Sequence, residues 1–178
     1  MARDNSDRFI DDILDNYAES IGIDFARYKN HVSRVFHNCL LLDRNPANEE
    51  KYAIAAVFHD IGIWTDHTID YLNPSIAQAK NFLTKSGKEE WAEEISLMIY
   101  WHHKPREYKG NYQETVENFR KGDWIDVTIG LRKFGLERNQ LQSIRKKFPN
   151  LGFHLFLIRK LTRNFFMHPL SPLPMFKF

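Results

Sequence analysis

The chain has 178 residues, with 25 lysines and arginines against 23 aspartates and glutamates, 43% hydrophobic residues and one cysteine. This length is typical of one domain with a substantial core, and the hydrophobic fraction excludes a disordered chain. The single cysteine, Cys39, excludes a fold held together by internal disulfides and indicates a reducing compartment.

The charges are mixed along the whole chain and sum to +2, so the clustered basic excess typical of nucleic-acid-binding domains is missing. The longest apolar runs, such as 52–58, are far shorter than the roughly 18 residues that a membrane helix needs. The first residues are charged where a signal peptide has an apolar segment. We therefore expect a cytoplasmic protein without a membrane segment, and the composition gives no strong signal for a nucleic-acid partner.

Apolar residues recur at spacings of three and four, which is the period of a helix buried on one face. No stretch shows the sustained period-two alternation of a β-strand. The sequence therefore predicts an all-α protein with about eight helices. In chain order, they are expected at 6–21, 24–44, 47–61, 74–86, 88–104, 111–130, 137–148 and 152–167.

Glycine, proline and capping residues set several of these limits. Asn73-Pro74 is typical of an N-cap followed by a first-turn proline, and Gly87 is placed where the same helix should end. Residues 111–114 have the spacing of a capping box, and Gly130 would close the helix that follows. The proline-rich tail at 168–178 is predicted to be extended, because proline removes backbone donors and restricts the preceding residue.

Histidines and aspartates occur on helices that are otherwise apolar on one face. Those that share this setting are His31, His59, Asp60, His102, His103 and Asp123. Burial of such side chains costs free energy unless they are paired or bind a metal. Imidazole nitrogens and carboxylate oxygens together suit a divalent first-row ion. The pattern predicts an open metal site, with a hydrogen-bonded polar cluster without metal as the alternative.

The order His, then His-Asp, then Asp resembles the HD superfamily of metal-dependent phosphohydrolases. The matching segments are YKNHVSRV at 28–35, AAVFHDIG at 55–62 and KGDW at 121–124. The resemblance covers residues 24–130 and implies a single HD-type helical bundle over 1–178, with further helices at 137–167. It also implies a divalent ion (Mn, Fe, Co, Ni, Zn or Mg) bound by His31, His59, Asp60 and Asp123.

His102 and His103 match a histidine pair that some two-metal members use for a second ion, so both are additional candidate ligands. Those members also carry a histidine where this chain has 73–75, and many have a lysine soon after HDIG, where this chain has Ile63 and Trp64. These departures favour one ion and argue against cleavage of cyclic dinucleotides.

The resemblance implies hydrolysis of a phosphoester by a metal-activated water, with a nucleotide or another small phosphorylated metabolite as the substrate. The candidate catalytic residues are Asp60, Arg34, Asp66, His67 and Lys104. Arg34 lies one turn after His31 and is predicted, like Lys104, to bind the phosphate. Asp66 or His67 would transfer a proton, since some HD nucleotidases use a glutamate at the position of Ile63.

Two other functions fit the same pattern. The first is a non-catalytic HD-fold module that senses nucleotides or binds proteins. The second is a di-iron oxygenase on the related fold, which requires that His102 or His103 complete a two-metal site. Oligomeric state stays open, although the apolar C-terminus would suit packing against a second copy of the chain.

Overall fold

In the computed structural model, which describes residues 2–167, the chain forms α-helices joined by turns and short 3₁₀ segments, with no strand among those residues. Eight helices have ten residues or more and lie where the sequence predicts them, so the all-α prediction is confirmed. Two more, α2 and α5, are single turns. The helices are α1 Ala2–Asp15, α2 Ala18–Ile21, α3 Phe25–Leu42, α4 Glu49–Phe58, α5 Gly62–Thr65, α6 Leu72–Lys85, α7 Ala92–Trp101, α8 Gln113–Val127, α9 Arg138–Lys147 and α10 Phe153–Met167. The predicted extended tail at 168–178 lies outside the described residues.

The starts of α6 and α8 differ from the predicted ones, because the residues expected to cap these helices do not do so. The helix expected from Pro74 begins at Leu72, so Pro74 lies within the first turn, where a missing backbone N–H costs little. The capping box expected at 111–114 does not form, because Tyr112 takes a left-handed conformation (φ 60°) and α8 begins after it. Gly130 does close α8 as predicted, with its N–H donating to the Ile125 carbonyl at 2.8 Å.

Helix α4 occupies the centre of the bundle, and every side chain from Tyr52 to Phe58 is fully buried. Helices α1, α3, α6, α7 and α8 all pack against it. A helix surrounded in this way needs apolar residues on all faces, which explains the continuous apolar run in the sequence. Because α4 ends at Phe58, the His-Asp pair that follows is placed in the interior.

Helices α3 and α8 pack closely at Gly122. A Cβ atom on this glycine would lie 2.6 Å from the Cys39 Sγ and 3.2 Å from the Val35 carbonyl oxygen. The Gly122 carbonyl also accepts a hydrogen bond from the Asn38 side chain at 3.0 Å. This close approach brings the polar residues of α3 and α8 to the same region of the core.

A second close approach is made by Gly62 in the HDIG segment. Its N–H donates to the Ser75 hydroxyl at 3.0 Å, and a Cβ on it would lie 2.7 Å from the Tyr71 carbonyl oxygen. The turn after α4 is therefore held against the start of α6, which positions Tyr71 beside the end of α4.

Within residues 2–167, no helix combines the length and the apolar character needed to span a bilayer.

Candidate metal centre

The four residues expected as metal ligands converge from three helices. His31 lies on α3, His59 and Asp60 directly follow α4, and Asp123 lies on α8; all four are at most 2% exposed. The His31 Nε2 is 2.9 Å from the His59 Nε2 and 3.7 Å from both an Asp60 and an Asp123 oxygen. The His59 Nε2 is 3.4 Å from Asp60 and 3.8 Å from Asp123. Four potential ligands thus surround one small volume.

Backbone carbonyls fix the orientation of two histidine rings. The His59 Nδ1 lies 2.8 Å from the Ala56 carbonyl oxygen, and the His102 Nδ1 lies 2.6 Å from the Ile99 carbonyl oxygen. A carbonyl oxygen can only accept, so each Nδ1 carries the proton and donates it. In the neutral ring the Nε2 then bears a lone pair, which is the form that binds a metal.

His31 is oriented by a carboxylate. Its Nδ1 lies 2.7 Å from an Asp126 oxygen, so its Nε2 also presents a lone pair to the cluster. The Nε2 atoms of His31 and His59 are then two unprotonated nitrogens 2.9 Å apart, an arrangement that repels unless a cation or a proton lies between them.

Several ligand atoms in the cluster have no hydrogen-bond partner among the described residues. They are Asp60 Oδ1, His102 Nε2 and both carboxylate oxygens of Asp123, all buried. An unsatisfied buried polar group costs about 1–3 kcal/mol, and more when it is charged. Divalent cations bound in the cluster would supply the missing partners, and nitrogen with carboxylate oxygen is a donor set that first-row ions accept. The residues present therefore fit a divalent metal.

The ionisation of the cluster is set by burial and by its own charges. Burial lowers the pKa of His59 to about 3 and raises the pKa of Asp123 to about 7. Burial would also raise the pKa of Asp60, but His59 and His102 hold it well below its usual value. At neutral pH His59 is therefore neutral and Asp60 is ionised, as metal binding requires.

His102 and His103 join the cluster from the end of α7. The His102 Nε2 is 3.4 Å and the His103 Nε2 is 4.0 Å from the Asp60 Oδ1, and the His103 Nδ1 is 3.8 Å from Asp123. The Tyr71 hydroxyl forms a hydrogen bond with the His103 Nε2. Asp60, His102 and His103 thus make a second group with metal-binding spacing, and this group shares Asp60 with the group of His31 and His59. The sequence pattern favours one ion, whereas this geometry offers donors for two.

Arg34 lies beside His31 on α3, as predicted, but its guanidinium binds protein acceptors. Its Nε and Nη2 donate to both oxygens of Asp126 at 2.6 and 2.9 Å, and its Nη1 donates to the carbonyls of Phe148 and Pro149. The side chain is 2% exposed. Because its donors are bound to protein acceptors, the guanidinium is not free to bind a phosphate and instead holds Asp126 in place.

The remaining predicted catalytic residues are Lys104, Asp66 and His67. Lys104 is buried, with its Nζ 4.8 Å from the centre of the Tyr100 ring. Asp66 and His67 are exposed between α5 and α6, and Asp66 accepts a hydrogen bond from Thr65. Within the described part of the chain, no hydrogen bond or ion pair joins Asp66 or His67 to the cluster. Their catalytic roles stay predictions.

Sequence reasoning missed Asp126 and Phe153. Asp126 lies three residues after Asp123 on the same face of α8, and this spacing could have indicated it. Phe153, at the start of α10, stacks on the His31 ring with centroids 4.0 Å apart. No local pattern indicates this contact, because α10 and α3 are far apart in the sequence.

Comparison with known proteins gives one match. A model of the HD domain family matches residues 28–147, from α3 through α9. The matched range contains all six candidate ligands and Asp126, whereas α10 lies beyond it. No curated protein and no solved structure matches the chain significantly.

Proposed function

The chain belongs to the HD domain family, and from this premise we propose that it is a metal-dependent phosphohydrolase that acts on a small phosphorylated metabolite. The observation that carries the proposal is the convergence of buried imidazole nitrogens and carboxylate oxygens on one point, where neither oxygen of Asp123 has a hydrogen-bond partner among the described residues. A cluster that served only packing would pair these atoms within the protein.

One ion would be held by His31, His59, Asp60 and Asp123, and Asp60 with His102 and His103 has the donors for a second. A bound divalent ion lowers the pKa of its water and polarises a phosphoryl oxygen, which is the chemistry that phosphoester hydrolysis needs.

The protein itself orients the histidine rings and determines from which side a substrate can reach the cluster. The Ala56 and Ile99 carbonyls hold two histidines in the ligating tautomer, and Asp126 does so for His31. The His103 side chain is 18% exposed, whereas those of His31, His59, His102, Asp60 and Asp123 are at most 3% exposed. We therefore expect the substrate to approach the cluster from the side of His103 and Tyr71.

The test is a hydrolysis screen of the protein loaded with Mn²⁺, over nucleotides and other small phosphoesters. Asp60→Ala and Asp123→Ala should abolish hydrolysis while circular dichroism shows that the helices persist. Asp12→Ala, at an exposed position on α1, is the matched control and should keep full activity. A fully metal-loaded protein that is inert toward every phosphoester would contradict the proposal.

The second group of potential ligands, formed by Asp60, His102 and His103, also favours one other function, that of a di-iron oxygenase. Iron-loaded protein that consumes dioxygen but hydrolyses no phosphoester would support this alternative. Metal-loaded protein that binds a nucleotide without turnover would instead support a sensing module.

A further inference from the structure

An apolar cavity of about 170 Å³ adjoins the metal cluster. Tyr71 and His103 belong to both, and aliphatic side chains such as Ile63, Val127 and Leu157 form most of the other walls. Lys160 also lines the cavity. An apolar cavity of about 150 Å³ is large enough to hold a benzene ring. The space beside the cluster therefore suits an apolar group of the size of one ring.

Trp124 adds an aromatic part to the wall of the cavity. Its Nε1–H is buried and has no acceptor among the described residues, so the indole lines the cavity with ring carbons rather than with its donor. The wall contributed by Trp124 is therefore apolar as well.

Helix α10 forms the outer wall of the cavity through Leu157 and Leu161. It is fixed to the metal cluster at its first turn, where Phe153 stacks on His31 and the His154 Nε2 bonds the Asp126 carbonyl at 2.9 Å. Helix α10 lies beyond the residues that match the family model.

We propose that the cavity binds the alcohol part of the substrate, which is an aromatic or branched aliphatic group, while the phosphate faces the metal cluster. This inference rests on the proposed phosphohydrolase function. In the reaction, water oxygen bonds to phosphorus, the bond from phosphorus to the alcohol oxygen breaks, and the alcohol leaves with a proton. A nucleobase fits less well, because its several polar edge atoms would be buried against mostly aliphatic walls.

Calorimetry with two phosphonates that cannot be hydrolysed tests the inference on the Mn²⁺-loaded protein. Phenylphosphonate and methylphosphonate differ in their apolar group, and burial of a phenyl ring should make the former bind at least about tenfold more tightly. Leu157→Trp fills the cavity and should remove this preference. Leu155→Trp, two residues away and 51% exposed, is the matched control and should keep it.

A second variant and a second probe separate the outcomes. Leu161→Trp fills the cavity from the next turn of α10 and should remove the preference even if Leu157→Trp does not fold. Equal affinity for the two phosphonates would overturn the cavity inference and leave the hydrolase proposal intact. A preference for phenylphosphonate that persists in both Leu157→Trp and Leu161→Trp would do the same. Failure of both phosphonates to bind, while benzyl alcohol binds the wild type but not the filled variants, would overturn the hydrolase proposal and support the apolar preference of the cavity.

Discussion

The substitution Asp126→Asn should weaken both the fold and metal binding. The carboxylate of Asp126 accepts from Arg34 at 2.6 and 2.9 Å and from the His31 ring at 2.7 Å. Asparagine keeps one acceptor oxygen and places an NH₂ group where the second oxygen stands. Three donors then compete for one acceptor, and the guanidinium charge loses its counter-ion.

The size of the effect follows from burial. Removal of one partner of a buried ion pair costs about 3–5 kcal/mol. Arg34 keeps its bonds to the Phe148 and Pro149 carbonyls, so we expect the lower end, a loss of about 3 kcal/mol in the free energy of unfolding. For a chain of this length, that corresponds to a fall of roughly 6–12 °C in Tm. Loss of the carboxylate behind a metal-binding histidine should also weaken metal affinity by about 10- to 100-fold.

Urea unfolding of metal-free protein and calorimetric Mn²⁺ titration measure the two effects separately. The double variant Asp126→Asn/Arg34→Met should regain part of the unfolding free energy, because no uncompensated guanidinium is left, but not the metal affinity. Asp12→Asn, exposed on α1, should change stability by less than about 0.5 kcal/mol. A loss below about 1 kcal/mol with unchanged metal affinity in Asp126→Asn would refute the reasoning.

The metal site and the helix packing give three further predictions. Burial raises the pKa of Asp123 to about 7 in the metal-free protein, and Asp60 and Asp123 raise the pKa of His102 against the effect of its burial. Mn²⁺ affinity should therefore fall as the pH is lowered through about 7, and titrations in buffers of different ionisation enthalpy should show more than one proton released per chain at pH 6 when both positions fill. Metal analysis at saturation should find two ions per chain in the wild type and one in His102→Ala; a single ion in both would rule out the second position. Gly122→Ala should lower the free energy of unfolding by about 1–3 kcal/mol, because the added methyl group would contact the Cys39 Sγ. Cys39→Ala in the same chain should recover part of this loss. An unchanged denaturation midpoint in Gly122→Ala would contradict the close packing of α3 and α8.

The convergence of the candidate ligands was predictable from the sequence because each of them carries a local signal. His31, His59, Asp60 and Asp123 are polar residues on apolar helices, and burial of such residues requires a partner. Their order along the chain adds the family resemblance. The structure brings these residues together as that pattern indicates.

The surroundings of the ligands were not predictable in the same way. Arg34 shares a helix face with His31, and the sequence correctly places the two side by side, but the group that this face meets belongs to α8. The ion pair with Asp126 therefore depends on tertiary packing that no local spacing reveals. The same holds for Phe153, whose contact with His31 requires α10 to return to α3.

The rings of His31, His59 and His102 differ in what fixes their orientation, and therefore in which substitutions could change it. His59 and His102 each donate to a carbonyl three residues earlier in their own chain segment, so side-chain substitution elsewhere cannot remove the acceptor. His31 alone among these three donates to a side chain, that of Asp126. Substitutions at position 126 are therefore the direct route by which the basicity of a ligating nitrogen, and with it the choice of metal, can be retuned without replacing a ligand.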